Sequence, residues 1–130
     1  FAIRKAESNG VMEFCRAQNV GMLGFSPIAQ GLLTGKYKNF IPEDSRIAKK
    51  DVIDYSKTEN IYEQNKNRIN KFVSICDKYQ VKGGQLALSW CIRQGVYPVV
   101  GASKPEQIVE NVKALEITYP DEIWADLENV

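Results

Sequence analysis

Two short stretches of this chain carry residues that could do chemistry. The first is Val99-Val100-Gly101-Ala102-Ser103-Lys104-Pro105, which reads as a strand running into a helix with glycine at the turn. Glycine lets a ligand come close to the backbone. The opening turn of a helix offers unpaired N–H groups and the positive end of its dipole, a ready anion site. Lys104 sets a cation beside it, and Pro105 suits the first helical turn. Gln107, Glu110 and Asn111 stand at i, i+3 and i+4 and share one face, with Ile108, Val112 and Leu115 expected on the core side. A phosphate at Ser103/Lys104, with a polar base or ribose over Gln107, Glu110 and Asn111, is a chemically sensible ligand. Spacing alone favours a plainer reading, a Ser103-x-x-Glu106 capping box on a solvated helix face.

The second stretch is Phe25-Ser26-Pro27-Ile28-Ala29-Gln30-Gly31, at the end of another short apolar run. A flat ring at a strand's carboxyl end can stack on a heteroaromatic ligand. A core Phe followed by a polar turn reads equally well. Downstream, Gly31-Leu32-Leu33-Thr34-Gly35-Lys36-Tyr37 superficially has the look of a phosphate loop. Its glycine spacing is one residue short and Tyr37 stands where Ser or Thr would hold magnesium, so an ATPase is excluded. Glu43-Asp44 reads as solvated charge.

Other chemistry is excluded by composition. The chain has 130 residues and no histidine. That removes the usual neutral-pH general base and the commonest metal ligand. Cys15, Cys76 and Cys91 are widely spaced, without a CxxC pair, and sit in apolar helical patterns. They read as buried thiols rather than zinc ligands, and unpaired thiols fit a reducing cytoplasm. With 17 Lys+Arg against 16 Asp+Glu, the net charge of +1 gives no footprint for nucleic acid or an acidic membrane face. Hydrophobic residues at 44% and charged residues at 25% match a globular protein. No apolar run approaches the ~18 residues of a membrane span, and no signal peptide opens the chain.

Gly and Pro punctuate the elements that must position these stretches. Residues 6–18 read as a helix closed by Asn19, and 20–25 as a buried parallel strand. Residues 26–57 lack a long period and read as an extended loop with one helical turn at 31–34, a length that is usually functional or disordered. Residues 58–80 form the clearest helix, with Ile61, Ile69, Phe72, Val73, Cys76 and Tyr79 as its apolar stripe. Lys82-Gly83-Gly84 breaks it. A second helix over 85–94 is apolar nearly all round and ends at Gly95 as a C-cap. A buried strand over 97–101 and helices over 105–115 and 121–129 follow. Alternating strands and helices predict a parallel α/β sheet.

Taken together, these stretches resemble the C-terminal half of an aldo-keto reductase. Residues 24–37 resemble the family's strand-seven segment, aromatic-Ser-Pro-Leu-Ala-x-Gly-x-Leu-(Thr)-Gly-Lys-Tyr. Gln85-Leu86-Ala87-Leu88-Ser89-Trp90 resembles its Gln-Leu-Ala-Leu-x-Trp helix. Gly101-Ala102-Ser103-x-x-x-Gln107-x-x-x-Asn111 resembles the strand-eight cofactor motif. Residues 1–18 look like the end of strand six and its helix. The similarity covers essentially the whole chain, and it looks nearest to the branch with potassium-channel beta subunits and bacterial general-stress-type reductases.

The resemblance implies half of a (β/α)₈ TIM barrel, which takes about 250 residues when complete. Residues 1–130 would be one part of an NADP(H)-dependent oxidoreductase domain, its N-terminal half absent. By the same resemblance Phe25 stacks on nicotinamide, and Ser26, Pro27, Ile28, Ala29 and Gly31 line the pyrophosphate. Lys36 and Arg46 clamp phosphate oxygens. Gly101, Ser103, Lys104 and Gln107 surround the 2′-phosphate and its ribose, and Glu110 and Asn111 hold the adenine. These roles reverse the preference for the plain capping box. Phe25 stands where Tyr or Trp is common in the family, and Lys104 where many members use Arg. The family's catalytic Asp, Tyr, Lys and His lie in its other half, so no catalytic residue is expected here. The implied activity is hydride transfer between NADPH and an aldehyde or ketone. Alternatives are a non-catalytic NADP-binding regulatory subunit and an inactive fragment. Expected partners are a small carbonyl substrate and, through an exposed half-barrel, a second copy of the chain.

Overall fold

The computed structural model describes residues 6–37, 43 and 56–130. Its longest element is α2 (Ser56–Tyr79). Ile69, Phe72, Val73 and Cys76 recur at helical spacing along it and are buried, as the stripe predicts; Ile61 lies among side chains outside the described set. The helix stops because Gln80 turns left-handed (φ 53°), which lets Val81 N–H reach back to Cys76 O at 3.0 Å. The same device ends α1 (Val11–Ala17), where Asn19 (φ 53°) allows Val20 N–H to donate to Cys15 O at 2.8 Å. The helix predicted over 6–18 is in fact split. A 3₁₀ turn at Ala6–Ser8 precedes α1, and Gly10 is left-handed between them.

Strands β1 (Met22–Phe25) and β2 (Val96–Val99) pair in parallel, Met22 beside Val96 and Phe25 beside Val99. Between them in the chain lie α2 and α3 (Gly83–Arg93), followed beyond β2 by α4 (Pro105–Val112), a 3₁₀ turn at Lys113–Leu115 and α5 (Asp121–Glu128). The α/β class is as predicted. Arg16 at the end of α1 donates to Gln94 O at 2.8 Å, which ties together the two turns that lead into β1 and β2.

The core lies among helices, away from the strands. Leu32 and Leu33 of the Ala29–Thr34 segment meet Phe72 and Val73 of α2, Leu86 and Ala87 of α3, and Ile123 and Leu127 of α5. Each of the larger of these side chains contributes roughly 1.5–3 kcal/mol by leaving water. Gly83 makes the closest junction possible. A β-carbon there would stand 2.1 Å from Leu33 O and 3.2 Å from the Phe72 ring. α3 begins at Gly83, two residues earlier than the apolar pattern suggests.

Two burial expectations fail. The strands read as buried, yet Leu23, Phe25, Tyr97 and Val99 are 53–75% exposed, all on one face of the pair. Alternate residues Met22, Gly24, Val96 and Pro98 take the half-buried side. Likewise Ile108, Val112 and Leu115 of the α4 region read as core-facing but are exposed. Periodicity is right about which residues share a face, but nothing among the described residues covers that face.

Candidate functional site

The carboxyl ends of β1 and β2 open side by side into a cleft of about 1290 Å³. Parallel strands bring their ligand sites to this end. From β1 the chain passes through Ser26, Ala29 and Gln30, which all hold positive φ (51°, 47° and 57°), and Gly31 (φ 95°). A run of left-handed backbone at non-glycine residues is costly, and such runs cluster at functional sites. It folds residues 26–34 tightly enough to seat Leu32 and Leu33 in the core while Ser26, Pro27, Ile28 and Gly31 line the cleft. Gly31 is favoured by its φ, and the end of the Lys36 side chain lies close over it, with Cε 2.7 Å from where a β-carbon would stand. Lys36 also borders the cleft, with its ammonium 4.7 Å from the centre of the Tyr37 ring.

The opposite wall comes from the β2–α4 turn, and Gly101, Ser103, Lys104, Gln107, Glu110 and Asn111 all line it. Gln107 has a local task here. Its Oε1 accepts from Ser103 N–H at 2.7 Å, from Lys104 N–H at 3.3 Å and from Ser103 Oγ at 3.2 Å. The capping interaction therefore exists, but one residue further on than the predicted Ser103-x-x-Glu106 box. Lys104 is the N-cap residue and Gln107 the partner at N3. Two amides that the sequence offers to an anion are thus already engaged. The first wall and the Lys104 side chain remain for phosphate; among the described residues no ion pair engages Lys104.

The remaining expected site residues lie elsewhere. Phe25 ends β1 on the exposed strand face, next to the cleft rather than in its lining. Ala29 is half-buried and packs against the helical core. Arg46 lies outside the described residues.

Lys82 and Gln85 belong to the cleft, although the sequence places neither among the cofactor-binding residues. Lys82 Nζ donates to Glu110 Oε1 at 2.5 Å. Gln85, buried at 7% exposure, donates from Nε2 to the same oxygen at 2.9 Å and to Glu110 O at 3.0 Å. Lys113 Nζ stands 3.8 Å from Oε2. The hydrogen bond from Lys82, with the charges of Lys82 and Lys113, holds the Glu110 carboxyl below the usual carboxylate range. It is an anion at neutral pH. No local motif announces a contact spanning 28 residues.

Cys76 is buried and lines the cleft, whereas Cys15 and Cys91, which read as buried from sequence, are half-buried. Burial pushes the Cys76 thiol up to about 12 and raises that of Cys91. Such thiols are inert at neutral pH. The described residues contain no His/Cys/Asp/Glu group suited to a metal ion, and no helix long and apolar enough to cross a membrane.

Comparison with known proteins agrees with the motifs. The chain is 34% identical over 129 residues to an L-glyceraldehyde 3-phosphate reductase from Escherichia coli O157:H7, covering 96% of this chain and 37% of that protein. It is 35% identical over 120 residues to a probable voltage-gated potassium channel subunit beta from Oryza sativa subsp. japonica, covering 90% and 36%. It is 32% identical over 116 residues to an aldo-keto reductase yakc [NADP(+)] from Schizosaccharomyces pombe, covering 86% and 33%. The chain thus spans about a third of the length of the curated relatives it matches. A glycerol dehydrogenase structure from Gluconobacter oxydans shares the fold, with a TM-score of 0.61 at 22% identity over 97% of this chain and 38% of that one. The sequence model of the Aldo/keto reductase family matches residues 1–130 from end to end, and the chain belongs to that family.

Proposed function

We propose that the cleft binds NADP(H), and that these residues are the cofactor-holding part of a reductase that passes hydride between NADPH and an aldehyde or ketone. The observation that carries this reading is one shared cleft. All the residues expected at the cofactor, except Phe25, Ala29 and Arg46, line the space beyond two adjacent parallel strand ends. The dinucleotide, when bound, supplies the hydride.

The chain's own residues bind and orient. Ser26, Pro27 and Gly31 offer close backbone approach to the pyrophosphate, with Lys36 as its cation. Lys104 meets the 2′-phosphate and Glu110 with Asn111 the adenine. Phe25, at the carboxyl end of β1, presents a flat ring for the nicotinamide. The two strands are then adjacent staves of a (β/α)₈ barrel, and the exposed face of Leu23, Phe25, Tyr97 and Val99 is its interior side. The chemistry's acid and base would come from parts of the barrel outside these 130 residues. A reducing cytoplasm suits the three free thiols.

Titration with NADPH, followed by nicotinamide fluorescence, tests this. Lys104→Ala should weaken NADPH about tenfold while NADH changes little, the loss of one charge-assisted contact. Equal weakening of both would remove Lys104 from the 2′-phosphate. The likeness to a channel beta subunit favours a second reading, a cofactor-binding regulatory subunit. Tight NADPH binding without turnover of any carbonyl would favour it.

A further inference from the structure

Gly31, Lys36 and Tyr37 meet in one small space at the edge of the cleft. Gly31 is buried and left-handed (φ 95°), and it has no side chain to fill the space beside it. The end of Lys36 takes that space, with Cε 2.7 Å and Nζ 3.0 Å from where a β-carbon would stand. The Tyr37 ring borders the same space, with Cε2 3.4 Å from the same point. The Lys36 ammonium stands 4.7 Å from the centre of that ring, within cation–π range. The turn itself is braced. Thr34 Oγ1 donates to Gly31 O at 2.7 Å and accepts from Lys36 N–H at 3.4 Å, and Gly35 (φ 78°) bends the chain between them. Tyr37 is 6% exposed and packs within the helical core, so its ring is a fixed wall. Its hydroxyl is buried and, among the described residues, finds no hydrogen-bond partner. What the side chain offers is therefore its ring rather than its oxygen. Lys36 lines the cleft, and among the described residues no carboxylate pairs with its ammonium.

We propose that Tyr37 is a positioning residue: together with the gap at Gly31, its ring holds the Lys36 ammonium at the cleft edge, ready for a phosphate of the bound dinucleotide. The inference rests on the NADP(H) reading above and adds the means by which a flexible cation is fixed there. A lysine side chain carries much rotamer freedom, and holding it in place beforehand lowers the cost of its contact with phosphate. An ammonium has three donors, so one side can face the ring while the others meet phosphate oxygens. The ring attracts the ammonium through the negative charge on its face, which a phenyl ring shares with a phenol.

The test is titration with NADPH, followed by nicotinamide fluorescence, on variants of Lys36 and Tyr37. Tyr37→Leu should weaken binding about threefold, the size of one exposed cation–π contact. Tyr37→Phe should bind as the unaltered protein does. Pentafluorophenylalanine at position 37 keeps the ring's shape but reverses the charge on its face, so it should weaken binding as much as leucine does. Melting curves identify any variant that fails to fold, and the fluorinated ring keeps the test open if leucine does. Lys36→Met should itself bind NADPH about tenfold more weakly, and in that background no change at position 37 should have a further effect. Pentafluorophenylalanine that binds as tightly as phenylalanine overturns the positioning role. So does a Tyr37→Phe variant as weak as Tyr37→Leu, or a leucine effect that persists undiminished beside Lys36→Met. Unaltered affinity in Lys36→Met also overturns the inference but leaves NADP(H) binding intact. Failure of the unaltered protein to bind NADPH overturns the cofactor reading itself.

Discussion

Phe72 and Phe25 are the same residue type in opposite circumstances. Phe72 is wholly buried between α2, α3 and the Ala29–Thr34 segment, whereas Phe25 is 66% exposed at the end of β1. The contrast extends to their surroundings. Phe72 belongs to a buried cluster with Leu32, Leu33, Leu86 and Ile123. Around Phe25, the residues Leu23, Tyr97 and Val99 present an apolar face, α4 presents Ile108 and Val112, and the 3₁₀ turn after it presents Leu115. The helical side of the molecule holds itself together, while the strand side displays its apolar residues. The cleft lies along the seam, with Leu33 and Val73 reaching it from the packed side and Val99 from the open side.

The comparison can be broken by matched truncations. Leu86→Ala should cost about 3–4 kcal/mol, because Leu86 is fully buried and its neighbours cannot close the gap. Leu23→Ala, at 75% exposure, should change stability by no more than about 0.5 kcal/mol. Denaturant unfolding measures both, and similar losses would mean that the strand face is covered in solution. Gly83→Ala sharpens the packed side further. Its β-carbon meets backbone, which cannot swing away as a side chain can, so a loss of about 2–3 kcal/mol is expected; a neutral result would mean that α3 and residues 29–34 sit further apart than described.

On the open side, the exposed face predicts self-association when these residues are made alone. Light scattering at rising concentration should show it, and Leu23→Lys with Tyr97→Lys should weaken it about tenfold, the order expected from removing apolar anchors. A clean monomer at high concentration would contradict this.

The smallest effect concerns Asp126, which joins α5 to α2. Lys78 Nζ and Tyr79 OH donate to its Oδ2 at 2.7 and 3.0 Å and hold its carboxyl below the ordinary aspartate value. A carboxyl with a lower pKa folded than unfolded adds stability above its unfolded value, near 3.9, and loses it as pH falls through the folded value. Asp126→Asn should therefore lower the melting temperature slightly at neutral pH, and the difference should shrink as pH falls through the folded value. A difference that persists at low pH would assign the effect to packing instead.

The long helices were legible because their periods are long. Residues 58–80 were predicted and Ser56–Tyr79 observed; 121–129 were predicted and Asp121–Glu128 observed. Asn19 and Gly95 were correctly read as helix ends, with Gly95 at φ 73° just beyond α3. The left-handed run at Ala29–Gly31 was not legible, since nothing in Ala29 or Gln30 favours positive φ. Local turn hydrogen bonds accompany it, from Ala29 N–H to Ser26 O and from Gly31 N–H to Ile28 O, both at 2.9 Å. The cleft itself was readable from motifs at the strand ends, but the Lys82–Gln85–Glu110 network was not, because its members meet only after α3 and α4 pack. Nor could period reveal cover. Ile108, Val112 and Leu115 share a face as predicted, and only the structure shows that face to be open.

On the reading proposed above, NADP(H) lies across the two strand ends. Amide hydrogen exchange, measured on the protein with and without NADPH, tests it directly. Bound cofactor should slow exchange at residues 26–36 and 101–111 together and leave α5 (Asp121–Glu128) unchanged. Saturating NADPH that protects neither segment, or protects a different part of the chain, would contradict it.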